Sequence, residues 1–357
     1  ITTATCRTFL ATGWPDGLDA ELRAQMAVVE AAVAPIRERL AAAPAREASV
    51  LGNRELFGRL ATAAMQPAMD HVFAGWQPDL VLRDPCEYAS AVIAHRLDVA
   101  TAQVAIGLAE VEWGSIVIAT PALEAHRSGL VDELRRSPYV TRFPASVDPS
   151  PFPDTRRFRA PAPAAPNSLP DWWKGSQAPL VYVSFGTVLG HMSMAAEAYR
   201  TAIQAVAGID ARVLLTVGRR FDASQLGRIP GNVHVESWVD QADVLDEAEV
   251  VVCHGGSGTT FGALAAGVPV VIVPLFADQF ANASKVAEAG AGIVLDTGQD
   301  SNGRRRPLTQ HDAPRITEAI DTVRAGASYR QQARRIAAEM ASAPTADTLV
   351  HELMAIR

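Results

Sequence analysis

Four polar residues stand out by position. His254, Ser257, Asp278 and Gln279 each fall just past a run of β-branched and apolar residues. His254 follows Val250-Val251-Val252-Cys253 and opens the stretch Gly255-Gly256-Ser257-Gly258-Thr259-Thr260. Asp278-Gln279 comes soon after Val268-Pro269-Val270-Val271-Ile272-Val273-Pro274. Glycines let a ligand approach backbone N–H groups closely, and a histidine adds a further donor. These are the parts of an anion site. The alternative is a tight packing turn in an α/β sheet.

The elements that must hold these residues follow from the same stretch. The run Val250–Cys253 reads as a buried strand, and Val268–Val273 as a second. Between them, Thr259–Ala266 is small and helix-compatible, with Ser257 or Thr259 available as a cap and Gly267 as a stop. This is a βαβ unit. Its helix N-terminus presents unpaired N–H groups and the positive end of the helix dipole to the carboxyl end of the strand.

Three further segments, in order, belong with it: Val181-Tyr182-Val183-Ser184-Phe185-Gly186-Thr187, Trp238-Val239-x-Gln241-x-x-Val244-Leu245, and Phe276-Ala277-Asp278-Gln279-x-x-Asn282. Together with His254-Gly-Gly-Ser-Gly-Thr-Thr they resemble the sugar-donor signature of the family 1 glycosyltransferases, most of all the bacterial enzymes that glycosylate antibiotics and other natural products. The resemblance is strong over 169–345 and weaker over 76–107. It implies the GT-B fold: two Rossmann-like, doubly wound parallel-sheet domains facing a central cleft.

The resemblance also implies roles. Gly186 and Thr187 contact phosphate or the linking oxygen. Trp238 stacks on the base, and the Val239 backbone reads its edge. His254, Gly255, Gly256, Ser257, Gly258 and Thr259 receive the diphosphate, and Asp278 and Gln279 bind sugar hydroxyls. Asp84, at the end of the strand within Pro78–Asp84, matches the acid that orients a catalytic histidine. That histidine lies near the start of the first domain in the family and is not found in this chain; His71, His95 and His126 are the alternatives. Each role has a plainer competitor: interdomain packing for Trp238, a helix cap for Asp278, and an N-cap carboxylate for Asp84. Asp240 stands where the family usually has proline.

The implied reaction transfers a sugar from a nucleoside diphosphate to a hydroxyl, with inversion. Departure of the diphosphate develops two negative charges. The Asp-x-Asp pair that would hold a metal is absent from the sequence, so backbone N–H groups must stabilise them. The expectation is therefore no metal and no cofactor. Gly262 occupies the position, eight residues after His254, where UDP-sugar enzymes of the family commonly carry a glutamate for the ribose. A thymidine nucleotide lacks the 2′-hydroxyl, which favours a dTDP-sugar over a UDP-sugar.

Composition sets the remaining bounds. The chain has 357 residues, 48% of them apolar, enough for two ordinary domains. A net charge of −7 argues against nucleic acid or an anionic membrane as partner. Three scattered cysteines, Cys6, Cys86 and Cys253, suit a reducing cytoplasm. The longest apolar run is too short to span a bilayer, and no signal peptide is recognisable. The chain opens at Ile1, and a leading βα unit of roughly 30 residues is expected to be missing. The expected partners are a nucleotide-sugar and a hydrophobic small-molecule acceptor; a homodimer is left open.

Along the chain, 18–41 and 54–76 read as amphipathic helices. Cys86–Leu97 reads as a helix and Ala100–Ile106 as a strand. Pro144, Pro149, Pro151, Pro153, Pro161, Pro163, Pro166 and Pro170 mark 143–170 as an interdomain linker that excludes helix and central strand. Beyond it, strands near 179–184, 212–217, 233–235, 249–253, 268–273 and 291–294 alternate with helices, which means a parallel sheet. Helices near 314–324, 328–341 and 345–356 close the chain. The expected organisation is an acceptor domain over 1–166, a sugar-donor domain over 167–344, and a terminal helix, 345–357, returning to the first.

Three other readings compete. Gly256-x-Gly258-x-x-x-Gly262 is one residue longer than a dinucleotide fingerprint, so a nicotinamide-dependent oxidoreductase is conceivable, but His254 and Gln279 then have no role. His-Gly-Gly-Ser-Gly resembles a lipase oxyanion loop, yet no Gly-x-Ser-x-Gly elbow exists. A non-catalytic sugar-nucleotide-binding partner would fit a missing histidine.

Overall fold

The computed structural model describes residues 43–355, except Gln77, 161–166 and 300–304, together with residues 31, 34–36 and 39. The helix expected over 18–41 lies largely outside them.

From residue 43 onward the first element is α1 (Ala45–Val50), which runs through a π-helical stretch, Leu51–Ala61, into α2 (Thr62–Gly75). A four-stranded parallel sheet follows, in the order β1 (Leu80–Arg83), β2 (Ala100–Val104), β3 (Tyr139–Thr141), β4 (Thr155–Arg157). Helix α3 (Ala89–Arg96) joins β1 to β2; α4 (Ala109–His126) and α5 (Leu130–Arg136) join β2 to β3.

β4 corrects one expectation. It lies inside the proline-rich segment assigned to the linker. It is an edge strand that pairs only with β3, and the prolines fall outside Thr155–Arg157, so the ring's missing N–H costs the ladder nothing. Phe143, Val147 and Phe152 of the same segment are buried.

The second sheet has six parallel strands: β5 (Leu180–Ser184), β6 (Arg212–Thr216), β7 (Val233–Glu236), β8 (Ala248–Cys253), β9 (Val270–Ile272) and β10 (Gly292–Val294). Their order in space is β10-β9-β8-β5-β6-β7. The chain therefore winds outward from β5 in one direction, returns to the centre, and winds the other way from β8. Ligands of such sheets bind outside the carboxyl ends of the two central strands, where the direction reverses. Here those ends are Ser184 and Cys253.

Alternation along β5 shows why the sheet is buried on both faces. Val181 and Val183 point into one core, with α6 (Ala195–Val206) and α10 (Ala313–Ala325). Leu180 and Tyr182 point into the other, with α7 (Gln241–Glu247), α8 (Ser257–Ala265), α9 (Gln279–Glu288) and α11 (Ala327–Ser342).

The second core also contains Leu108, Phe143 and Val147 of the first half. Phe143 packs on Phe261 with ring centroids 4.1 Å apart. The Ser146 N–H donates to Glu339 Oε1 at 3.1 Å, and Lys285 lies 3.9 Å from Glu110. The last helix, α12 (Ala346–Met354), sets Leu349 and Leu353 against Ala102 and Val140 of the first sheet. No described helix is long and apolar enough to cross a membrane.

Candidate functional site

Two loops meet at the reversal point. After β5, Gly186 turns the chain with φ +72°; after β8, Gly255 does so with φ +88°. Between them sits the His254 ring, which is 9% exposed. A Cβ on Gly186 would stand 2.8 Å from its Cε1, and one on Gly256 would stand 2.5 Å from its Nε2. No side chain other than hydrogen fits on either side of the imidazole. Burial pushes the ring's pKa down to about 4, only partly offset by the Ser184 backbone, so it is neutral at pH 7. His254 Nδ1 is buried and has no partner.

α8 starts at Ser257 with Gly256 as its N-cap and no side chain capping it. This corrects the expected Ser257 or Thr259 cap. The first helical bond runs from the Thr260 N–H to the Gly256 carbonyl. The N–H groups of Ser257, Gly258 and Thr259 therefore stay outside the helix's own ladder. A Cβ on Gly258 would meet nothing within 4 Å. Ser257 Oγ instead donates to Asp278 Oδ2 at 3.4 Å.

The turn after β9 is shaped around Asp278. Ala277 takes φ 55°, a strained conformation for a non-glycine residue. Asp278 is the N-cap position of α9, but its carboxylate does not cap it. The fully buried Asn282 donates from Nδ2 to the Gly255 carbonyl at 2.8 Å, to Ser257 Oγ at 3.2 Å and to Asp278 Oδ2 at 3.2 Å. This single amide fixes the glycine loop, the helix start and the acid relative to one another. Gln279 is buried, and its Oε1 accepts from the Leu275 and Phe276 N–H groups at 2.9 and 3.0 Å. Asp278 faces outward across the cleft, while Gln279 braces the turn.

Trp238 is 51% exposed beyond the end of β7, with the Arg219 guanidinium 4.8 Å from its ring centre. A flat, open indole face is thus available, and interdomain packing does not account for it. Val239 beside it packs on the second core. Asp240 has φ −67°, the angle a proline would fix, and caps α7 by accepting from the Ala242 N–H. The departure from proline keeps the loop's backbone. Gln241 lies over Gly262, whose Cβ would stand 2.9 Å from Gln241 Oε1. Thr187 is exposed beside Gly186.

On the opposite wall, Asp84 follows β1, and its Oδ1 accepts from the Cys86 N–H at 2.8 Å. It does not cap α3; Glu87 does that, through the Ser90 N–H. Of the histidines weighed as bases, His95 is tied to Glu133 at 2.9 Å, and His126 to the Gly58 carbonyl and Gln66. Sequence reasoning missed a buried polar chain next to Asp84: Arg83, Gln103, Glu112 and Tyr139. A run of apolar strand residues containing one Arg and one Gln was the only signal.

The chain matches the family models for erythromycin biosynthesis protein CIII-like proteins: the N-terminal domain over residues 20–184 and the C-terminal domain over 200–356. It is 29% identical to L-demethylnoviosyl transferase of Streptomyces niveus over 295 residues, 81% of this chain and 74% of that protein. Among solved structures it resembles the spinosyn rhamnosyltransferase SpnG, with TM-score 0.69 and 23% identity over 85% of this chain and 79% of that one. SpnG has also been solved with thymidine diphosphate and with its spinosyn aglycone. SnogD from Streptomyces nogalater gives TM-score 0.64 at 25% identity, over 84% and 80% of the two chains. The two parallel sheets, the second of them doubly wound, the cradle between β5 and β8 and these matches make the chain a GT-B, family 1 natural-product glycosyltransferase of the erythromycin CIII-like family.

Proposed function

We propose that the enzyme moves a sugar, a deoxysugar being the natural class, from a dTDP-sugar to a hydroxyl of a hydrophobic natural-product aglycone. The anomeric centre is inverted and no metal takes part. One observation carries the reading: the N–H groups of Ser257, Gly258 and Thr259 stay outside the helix's own ladder just past the end of β8, in a loop that Asn282 ties down at the Gly255 carbonyl. Preorganised donors of this kind stabilise the charge of a departing diphosphate without reorganising.

In this reading Gly186, Thr187 and Gly255–Thr259 surround the diphosphate, Trp238 stacks on the base, and Asp278 with the Gln279 amide takes the sugar hydroxyls. Asp84 orients a histidine base that removes the acceptor proton, on the face opposite the diphosphate. Gly262 with Gln241 above it, in place of a carboxylate, supports thymidine over uridine, as does the thymidine diphosphate bound by SpnG. Residues 1–166 then form the acceptor side, 167–344 the sugar-donor side, and 345–357 the returning helix; the packing of Leu349 and Leu353 on the first sheet supports the last. The cysteine usage suits a reducing cytoplasm.

Calorimetry with thymidine diphosphate, uridine diphosphate and NAD, followed by a crystal structure with the tightest binder, tests this. Thymidine diphosphate should bind tightest, its phosphates within hydrogen-bond distance of the Ser257–Thr259 amides. Binding of NAD alone, or phosphates seated elsewhere, would refute it.

A further inference from the structure

Glu112 sits in the first turn of α4 and is 5% exposed. Its Oε1 accepts from two consecutive backbone N–H groups, Ile106 at 2.8 Å and Gly107 at 2.7 Å. Those residues form the turn at the end of β2, the part of the first sheet that meets the sugar-donor loop. A Cβ on Gly107 would stand 3.5 Å from Asp278 Oδ2 and 3.7 Å from Glu112 Oε1. The turn is thus a thin spacer between two carboxylates.

The other side of Glu112 leads away from the cleft. Gln103 Nε2 approaches Oε2 at 3.5 Å, and the Tyr139 hydroxyl, which donates to the Gly107 carbonyl at 3.4 Å, also faces the carboxylate. Gln103 Oε1 accepts from Arg83 Nη2 at 2.5 Å. Arg83 is 3% exposed, and its Nη1 donates to the carbonyls of Asp84, Pro85 and Glu87, the loop that carries the candidate catalytic acid. A buried carboxylate with two charge-assisted backbone bonds and a buried guanidinium serving three carbonyls are costly to desolvate; the backbone bonds they satisfy at both turns offset that cost.

We propose that Glu112 is a positioning residue of the transfer reaction. It pins the Ile106–Gly107 turn against Asp278 and, through Gln103 and Arg83, sets that turn in register with the loop of Asp84. It touches neither substrate. It fixes the separation between the acid on the acceptor wall and the acid on the sugar wall. The proposal rests on the roles assigned above to Asp84 and Asp278. Misplacement of a reacting group by about 1 Å lowers rates by about a hundredfold, so a loosened turn affects turnover and leaves nucleotide binding alone.

The test uses the full chain, with dTDP-glucose and umbelliferone as probes, following released thymidine diphosphate. Glu112→Ala should lower kcat about ten- to a hundredfold, leave the thymidine diphosphate Kd within twofold, and speed hydrogen exchange at the Ile106 and Gly107 amides. Glu112→Gln keeps an oxygen for both N–H groups but sets its NH2 against Gln103 Nε2, so it should recover only part of the kcat lost in Glu112→Ala. Gln103→Leu, which breaks the link to Arg83 without touching the turn, should also lower kcat at unchanged Kd. Wild-type kcat in E112A, an equal loss in E112Q, or a loss matched by weaker nucleotide binding overturns the proposal. If E112A does not fold, wild-type kcat in Q103L or a full loss in E112Q does so instead. Asp84→Asn separates the two readings. Unchanged turnover in D84N sinks the role of Asp84, whereas an inactive D84N beside a fully active E112A sinks only the proposal made here.

Discussion

Gly258→Ala should pull stability and binding in opposite directions. The added Cβ meets nothing within 4 Å, and the position lies in the first turn of α8 with ordinary helical φ. Alanine there restricts the unfolded chain and favours the helix by about 0.5–1 kcal/mol. The thermal midpoint should rise by roughly 1–3 °C. The same methyl stands among the three amides that have no helix partner. A phosphate must then draw back and lose one or two charge-assisted hydrogen bonds, each worth about 1.5–3 kcal/mol. The thymidine diphosphate Kd should weaken about ten- to a hundredfold or more. Gly256→Ala is the contrast. Its Cβ would stand 2.5 Å from His254 Nε2, which forces the ring aside and costs about 1–3 kcal/mol of stability. Scanning fluorimetry gives the midpoints, and calorimetry gives the affinities. A G258A protein that melts higher and still binds thymidine diphosphate within twofold would refute the argument, because the phosphates would then lie away from these amides.

Other outcomes are equally open to measurement. Burial pushes Glu112 up to about 7 from the ordinary 4.5, helped by the nearby Asp84. Between those pH values the unfolded chain has released a proton that the folded chain keeps, so stability falls as pH rises, by about 3 kcal/mol at most. Denaturation of Glu112→Gln across pH 4.5–7 should lack that fall. His254 has the opposite sign. Its stabilising contribution is present above pH 6.5 and lost as pH drops toward 4, and a variant with asparagine at position 254 should remove that acid limb. Trp238→Ala should weaken thymidine diphosphate by about 1–3 kcal/mol, the range for base–aromatic stacking. Its melting temperature should hardly move, because the ring is half exposed. Turnover should be the same with EDTA as with magnesium; loss on chelation and return with the ion would overturn the backbone cradle.

The second sheet was legible in the sequence because its signals are local. A strand buried on both faces reads as a nearly unbroken β-branched and apolar run, and those of β5 and β8 are each followed within two residues by a glycine at positive φ. β5, β8 and β9 and the His254–Thr259 loop could be placed from those residues alone, as could α10 and α11 from their apolar periodicity. The proline-rich segment misled because proline density forbids a central strand but not an edge. Nothing local reveals that Thr155–Arg157 has a partner on one side only.

The sequence by itself determined which polar groups stand at the strand ends, since glycine, histidine and acid can be placed there from local runs alone. Tertiary structure alone decided how those residues are held. Asn282 reaches back 27 positions to the Gly255 carbonyl, and Glu112, Gln103 and Arg83 join two turns that are distant in sequence. Such contacts depend on which strands become neighbours, and a buried Gln or Arg in an apolar run carries no mark of the partner it will find. The approach of Gly107 to Asp278 depends further on how two separately wound sheets pack through Phe143 and Phe261, which no pattern within either half encodes.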